Sequence, residues 1–148
     1  MPRAVVDRRE HRFLPRAEIL RFEEIVRIVR VTSELGVRKV RITGGEPLLR
    51  KDLATLVSML AELSRESHEP LDLALTTNGA LLAQHASALA RAGLGRVTVS
   101  LDSLDPDVFA AMSDSDVSVS DVLAGIDAAR AAGLQPIKIN CVLRRGLS

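Results

Sequence analysis

Residues 40–52 read VRITGGEPLLRKD: an alternating strand runs into Gly44, Gly45, Glu46 and Pro47, and a basic, leucine-rich helix follows. Two residues without a Cβ let backbone carbonyls and amides approach a ligand closely, and Pro47 keeps Glu46 extended. An acid beside exposed carbonyls suits a ligand ammonium better than a phosphate, and the turn is not a GxxxxGK phosphate loop. A tight strand-to-helix turn is the competing explanation of the glycine pair. Other polar clusters also end strands: TTNG at 76–79, SLDS at 100–103 and NC at 140–141. His11, His68 and His85 are scattered without ligand-like spacing, so no metal site is expected. Ser100, Asp102 and Ser103 have no histidine near them in sequence and no nucleophile-elbow glycines around them, which argues against hydrolase chemistry. Arg50 and Lys51 read as a solvated helix start, or as basic residues that steer an anion.

The elements that must position these groups come from a chain of 148 residues, 47% of them hydrophobic. That is enough for one domain with a real core but short of the roughly 250 residues of a full α/β barrel. A formal net charge of +1 and 2% aromatic residues give no reason to expect nucleic acid as a partner. No apolar run approaches a membrane span and no signal-peptide pattern follows Met1, so the cytoplasm is the expected compartment. The single cysteine, Cys141, excludes an internal disulfide and cannot by itself hold a metal cluster.

Three segments share one design: ELGVRKVRIT (34–43), RAGLGRVTVS (91–100) and AAGLQPIKIN (131–140). In each a helix ends at a glycine (Gly36, Gly93, Gly133) suited to a left-handed cap, and a short alternating strand follows. A fourth strand, LDLALTT (71–77), follows a break at Pro70. Helical periodicity covers 22–35 with Ile25, Ile28, Val29, Thr32 and Leu35 on one face, and 50–66 with Leu53, Leu56, Val57, Leu60 and Leu63. Further helices are predicted over 80–92 and 120–132, the last capped by Ser120. The order αβαβαβαβ implies a parallel sheet covered by helices. Residues 1–12 read as a charged, flexible lead-in, and 112–121 as a surface loop.

Alternation within the strands gives each one apolar and one polar face. Val40 and Ile42 oppose Lys39, Arg41 and Thr43; Leu71, Leu73 and Leu75 oppose Asp72, Ala74 and Thr76. Val97, Val99 and Leu101 oppose Thr98, Ser100 and Asp102; Ile137, Ile139 and Cys141 oppose Lys138, Asn140 and Val142. An open doubly wound sheet would be apolar on both faces. One apolar face fits a barrel-like sheet with helices outside and a polar interior. That interior leans cationic, with Lys39, Arg41 and Lys138 against Asp72 and Asp102, so an anionic ligand fits best. A cross-barrel ion-pair network such as Lys39–Asp72 is the alternative. Cys141, on the helix-packed face, is expected to be a buried small hydrophobe. Four strands cannot close a barrel, so open edges and self-association are expected.

The stretches FLPRAEILRFEEIVRIV, LGVRKVRITGGEPLLRKDL, LTTNGALLAQHASALARAGLGRVTVSLDSLDPDVF and VLAGIDAARAAGLQPIKINCVLRRG resemble the MoaA family. These are the radical S-adenosylmethionine (SAM) GTP 3',8-cyclases of molybdenum cofactor biosynthesis. The resemblance runs from about Phe13 to Gly146, and RITGGEPLLR followed by LTTNG, VSLDS and KIN makes it specific. It implies a TIM-like (β/α) barrel, with residues 13–148 an incomplete barrel domain truncated at both ends. It implies conversion of GTP to (8S)-3',8-cyclo-7,8-dihydroguanosine 5'-triphosphate with SAM and 4Fe–4S clusters. Carried over by position, Gly44, Gly45, Glu46 and Ser100 would contact SAM, the first three through the turn that holds its methionyl ammonium. Arg41, Thr76 and Lys138 would bind GTP.

The departures from the family pattern concern the clusters. The family carries a C-x3-C-x2-C loop just upstream of FLPR, and this chain has none. The start Met1-Pro2 resembles the residues that often follow the third cysteine of that loop. The later strands, a SAM-contacting methionine and the second cluster's cysteines are absent too. The resemblance therefore implies a central portion without catalytic residues of its own, inactive as a cyclase when alone. The alternative is a non-catalytic remnant that at most binds nucleotide or SAM.

Overall fold

The computed structural model describes residues 18–66, 70–113 and 117–146. The expected lead-in at 1–12, residues 114–116 of the expected loop, His11 and His68 lie outside the described residues. The elements are α1 (Phe22–Glu34), β1 (Lys39–Ile42), a 3-10 turn (Pro47–Leu49), α2 (Leu53–Glu66) and β2 (Asp72–Thr77). They continue with α3 (Leu82–Ala92), β3 (Arg96–Ser100), α4 (Pro106–Met112), α5 (Val119–Ala131) and β4 (Ile137–Asn140). The four strands form one parallel sheet in the order β1-β2-β3-β4, each paired with the next in sequence.

The helices cover the apolar strand face and leave the polar one, as in a partial (β/α) barrel, while Ala74 and Thr98 in the middle of the polar face are buried as well. Leu73, Leu75, Val97 and Val99 are each 3% exposed or less. They share one core with Leu56, Val57, Leu60 and Leu63 of α2, Leu82, Ala86 and Leu89 of α3, and Val122 and Ala129 of α5. Burying one such leucine or valine stabilises the fold by about 1.5–3 kcal/mol. Leu60, Leu75, Leu82 and Leu134 are each 0% exposed, and truncating any of them to alanine would cost about 2–5 kcal/mol.

Glycine ends the helices where the repeat predicts it. Gly36, Gly93 and Gly133 have φ of 96°, 104° and 80°. Gly93 has a packing reason as well, since a Cβ there would stand 2.6 Å from the Ala61 methyl of α2. The five predicted α2 positions, Leu53, Leu56, Val57, Leu60 and Leu63, are all buried.

Several expectations are corrected. The order is not a strict αβαβαβαβ, because α4 intervenes between β3 and α5. Asp105 begins it by accepting from the amides of Asp107 and Val108, with Pro106 in the first turn. The loop expected over 112–121 is correspondingly shorter. Ser118, not Ser120, caps α5: its Oγ accepts from Asp121 N–H, while Asp121 Oδ2 accepts from Ser118 N–H. That reciprocal pair is a capping box. The helix predicted from residue 50 begins at Leu53, after the 3-10 turn. On α1 the inward residues are Phe22, Ile25, Val26 and Val29. Ile28 and Leu35 are 50% and 80% exposed, because α1 lies at the β1 side of the sheet with α2 as its helical neighbour.

Cys141 is exposed rather than buried. β4 ends at Asn140, no described strand lies beyond it, and Ile139 is itself 47% exposed. Cys141 lies past the end of β4, its thiol directed at the Asp102 carbonyl, and no described helix covers it.

Candidate functional site

In a parallel sheet, side chains on residues paired across strands stand side by side on the same face. The register pairs Arg41 with Ala74, Ala74 with Arg96, Thr76 with Thr98, and Thr98 with Lys138. Ser100 lies two residues beyond Thr98 on β3, opposite Asn140. Arg41, Thr76, Ser100 and Lys138 therefore come from four strands and share the face the helices leave open. Arg41 and Lys138 are exposed at its two sides, and Thr76 and Ser100 are half-buried between them.

The N-terminal end of this face is closed by an ion pair. Arg96 Nε donates to Asp72 Oδ1 at 2.6 Å and its Nη2 to Oδ2, a bidentate fork with planar complementarity. The hydrogen bond from Arg96 holds the Asp72 carboxyl below its ordinary pKa, helped by the nearby charges of Lys39 and Arg41. The pair that forms is Arg96–Asp72 rather than the Lys39–Asp72 pair of the alternative reading. Arg96 reaches diagonally across from β3, whereas Lys39 sits directly beside Asp72 and contributes only at longer range.

Asp102 is also committed. Its Oδ1 accepts from Val142 N–H at 2.8 Å, and Cys141 Sγ donates to its carbonyl at 3.2 Å, tying the ends of β3 and β4 together. With both aspartates engaged, Arg41 and Lys138 form no salt bridge among the described residues. The face keeps a cationic balance.

At the C-terminal ends the GGEP turn meets the TTNG turn. Glu46 is extended at φ −129°, ψ 107°, as expected before Pro47, and begins the 3-10 turn. Its Oε1 accepts from Leu48 N–H at 3.0 Å and from Thr77 Oγ1 at 2.8 Å; its Oε2 accepts from Asn78 N–H at 2.8 Å. Gly44 and Gly45 have no heavy atom within 4 Å of where a Cβ would stand, so their backbone is open. Arg50 is not a solvated helix start. Its guanidinium lies 4.5 Å from the Phe22 ring centroid and donates to the Leu20 carbonyl, anchoring the lead into α1.

The TTNG turn is held from the helix side. Gly79, at φ 84°, adopts a conformation that side chains rarely take, and a Cβ there would also meet Val99 and Val122 within 3.0 Å. Thr76 Oγ1, on the polar face, is buried and has no hydrogen-bond partner among the described residues. A buried hydroxyl without a partner costs about 1–3 kcal/mol, and a bound ligand is one way to recover it.

Thr77 and Asn78 are the site residues that sequence reasoning missed. The signal was present: Thr77 continues the Leu73, Leu75 alternation, so it puts a hydroxyl where hydrocarbon is expected.

Comparison with known proteins matches the same residues. The Radical SAM superfamily profile covers residues 7–148. A GTP 3',8-cyclase from Acidothermus cellulolyticus is 59% identical over 136 residues, which is 92% of this chain and 36% of that protein. A GTP 3',8-cyclase from Xanthomonas axonopodis pv. citri is 51% identical over 87% of this chain and 37% of its own length. One from Thermodesulfovibrio yellowstonii is 47% identical over 91% and 40%. The chain thus spans about two-fifths or less of the length of these relatives. A parallel sheet with one polar face, a GGEP turn at its C-terminal edge and a profile match over nearly the whole sequence place this chain in the radical SAM superfamily.

Proposed function

We propose that this chain is a portion of a GTP 3',8-cyclase of molybdenum cofactor biosynthesis and supplies the sheet face on which GTP and SAM are held. One positional observation carries the reading: Arg41, Thr76, Ser100 and Lys138 share a single face, and the Thr76 hydroxyl is buried there without a partner among the described residues. A triphosphate offers anionic oxygens to Arg41 and Lys138, and the nucleotide offers a hydrogen-bond partner to Thr76.

The GGEP turn fits SAM. Its glycine backbone is open, and the Glu46 carboxylate beside it is ordered. Gly44, Gly45, Glu46 and Ser100 are the residues that would hold SAM, which when bound supplies the adenosyl group for radical chemistry. An iron–sulfur cluster does not fit. Such a cluster takes several thiolates, whereas this chain has one cysteine, Cys141, directed at the Asp102 carbonyl beside β4. The second reading is a non-catalytic remnant that at most binds nucleotide or SAM.

Residues 13–148 act as one incomplete barrel domain in this proposal. The partners are small molecules rather than nucleic acid or membrane, and the compartment is the cytoplasm. No described helix is long and apolar enough to cross a membrane.

Calorimetric titration of the purified chain with GTP tests the proposal. Saturable binding is expected, and Arg41→Ala or Lys138→Ala should each weaken it about ten-fold or more. A charge-assisted hydrogen bond is worth about 1.5–3 kcal/mol, and 1.4 kcal/mol is a factor of ten. No binding, or unchanged binding by both variants, overturns the GTP reading. A reconstituted cluster that cleaves SAM would overturn the non-catalytic one.

A further inference from the structure

We infer that Thr77 is a positioning residue that fixes the GGEP turn by acting through Glu46, an inference that rests on the reading of that turn as a SAM-contacting element. Thr77 is 2% exposed and follows Leu73 and Leu75 onto the helix-facing side of β2. Valine would suit that position by shape, and a buried hydroxyl costs about 1–3 kcal/mol unless it is satisfied. Here it is satisfied twice. Oγ1 donates to Glu46 Oε1 at 2.8 Å and accepts from Gly79 N–H at 3.0 Å.

The hydroxyl thereby joins the turn after β1 to the turn after β2. Glu46 adds two more bonds to the same junction, from Leu48 N–H and Asn78 N–H. An ionised carboxylate has about four acceptor positions, so three are filled before any ligand arrives. Gly44 and Gly45 have no neighbour within 4 Å of a built Cβ, and the first anchored residue after them is Glu46. The geometry of the open glycine backbone is therefore set at Glu46, and Thr77 holds Glu46. Thr76, the adjacent residue, faces the opposite side of the strand. A change at Thr77 thus reaches the GGEP turn without removing a group from the polar face.

The experiment compares the wild-type chain with Thr77→Val and Thr77→Ser by amide hydrogen exchange without ligand, and by calorimetric titration with SAM. Thr77→Val should speed exchange about ten-fold at the bonded amides of the junction, Leu48, Leu49, Asn78 and Gly79, and weaken SAM binding about ten-fold, the loss of one hydrogen bond to a charged group. Exchange in α3 and β3 should stay within about two-fold, and Thr77→Ser should restore both readouts to within about two-fold of wild type. Unchanged exchange at the turn, faster exchange spread evenly over α3 and β3, or a serine variant as impaired as valine would each overturn the inference. If Thr77→Val does not fold, Thr77→Ala serves instead: it removes the same Oγ1 and must loosen the same four amides. Should wild type take up no SAM while the exchange pattern holds, the SAM reading of the turn falls and positioning by Thr77 stands.

Discussion

The carbonyl oxygen of Gly79 lies 2.6 Å from where a Cβ on Gly125 would stand, so α5 packs directly on the backbone of the TTNG turn. Gly125 is mid-helix, where alanine would ordinarily gain about 1 kcal/mol of helix propensity. The clash should outweigh that gain, because the neighbouring atom is backbone and cannot rotate away. Gly125→Ala is expected to destabilise the chain by up to about 2 kcal/mol net of propensity, overpacking costing about 1–3. Urea unfolding measures it; a stabilised variant would show that the contact is slack.

The Arg96–Asp72 fork predicts acid lability of a definite sign. The folded-state pKa of Asp72 is lowered, first by the hydrogen bond from Arg96 and then by the charges of Arg96, Lys39 and Arg41. The folded chain therefore binds this proton more weakly than the unfolded chain. The contribution is fully present above the ordinary aspartate value of about 3.9 and is lost as pH falls through the lowered one. Asp72→Asn should lower Tm at neutral pH and flatten the decline of Tm below pH of about 4. Equal acid slopes in wild type and variant would remove Asp72 from the account. Asp121 shifts the same way through its bonds with Ser118, so Asp72→Asn should not abolish the slope entirely.

Thr76 makes the opposite prediction from a typical buried polar residue. Its hydroxyl has no partner among the described residues, so Thr76→Val removes a burial cost rather than a bond. The ligand-free chain should be unchanged or stabilised by up to about 1 kcal/mol, while GTP binding weakens. Thermal melts with and without GTP separate the two effects. A variant destabilised without ligand would mean that the hydroxyl is already satisfied.

The sheet's sides carry apolar side chains with little cover. On α1, Ile28, Val31 and Leu35 are 50%, 51% and 80% exposed; beyond β4, Val142 and Leu143 are 64% and 78% exposed. Self-association is the expected outcome. Size exclusion with light scattering should give a mass that rises with concentration above the 16.0 kDa of one chain. A mass fixed at one chain over the accessible range would exclude it.

The fold was legible where a residue's neighbours lie close in sequence. The glycine helix stops and the α2 leucine stripe depend on local conformation and period, and both hold. The cap of α5 was misplaced by two residues because Ser118 and Ser120 are both good caps, and only the reciprocal Asp121 bond decides between them. Partner choice across strands was not legible. Lys39 and Arg96 are both cationic and both near Asp72, and reach rather than charge selects Arg96. Nor was coverage: alternation assigned Cys141 a face, but burial needs a helix at that end of β4. The Glu46–Thr77 bond spans 31 residues, so only the oddity of a threonine among leucines hinted at it.

Because each strand pairs with the strand made just before it, no segment must wait for a distant one in order to dock. A nascent chain leaving the ribosome can add β2 to β1, then β3, then β4, each step closing one helical connection of modest entropy. The topology thus permits assembly in the order of synthesis, with the most recent strand at the growing edge.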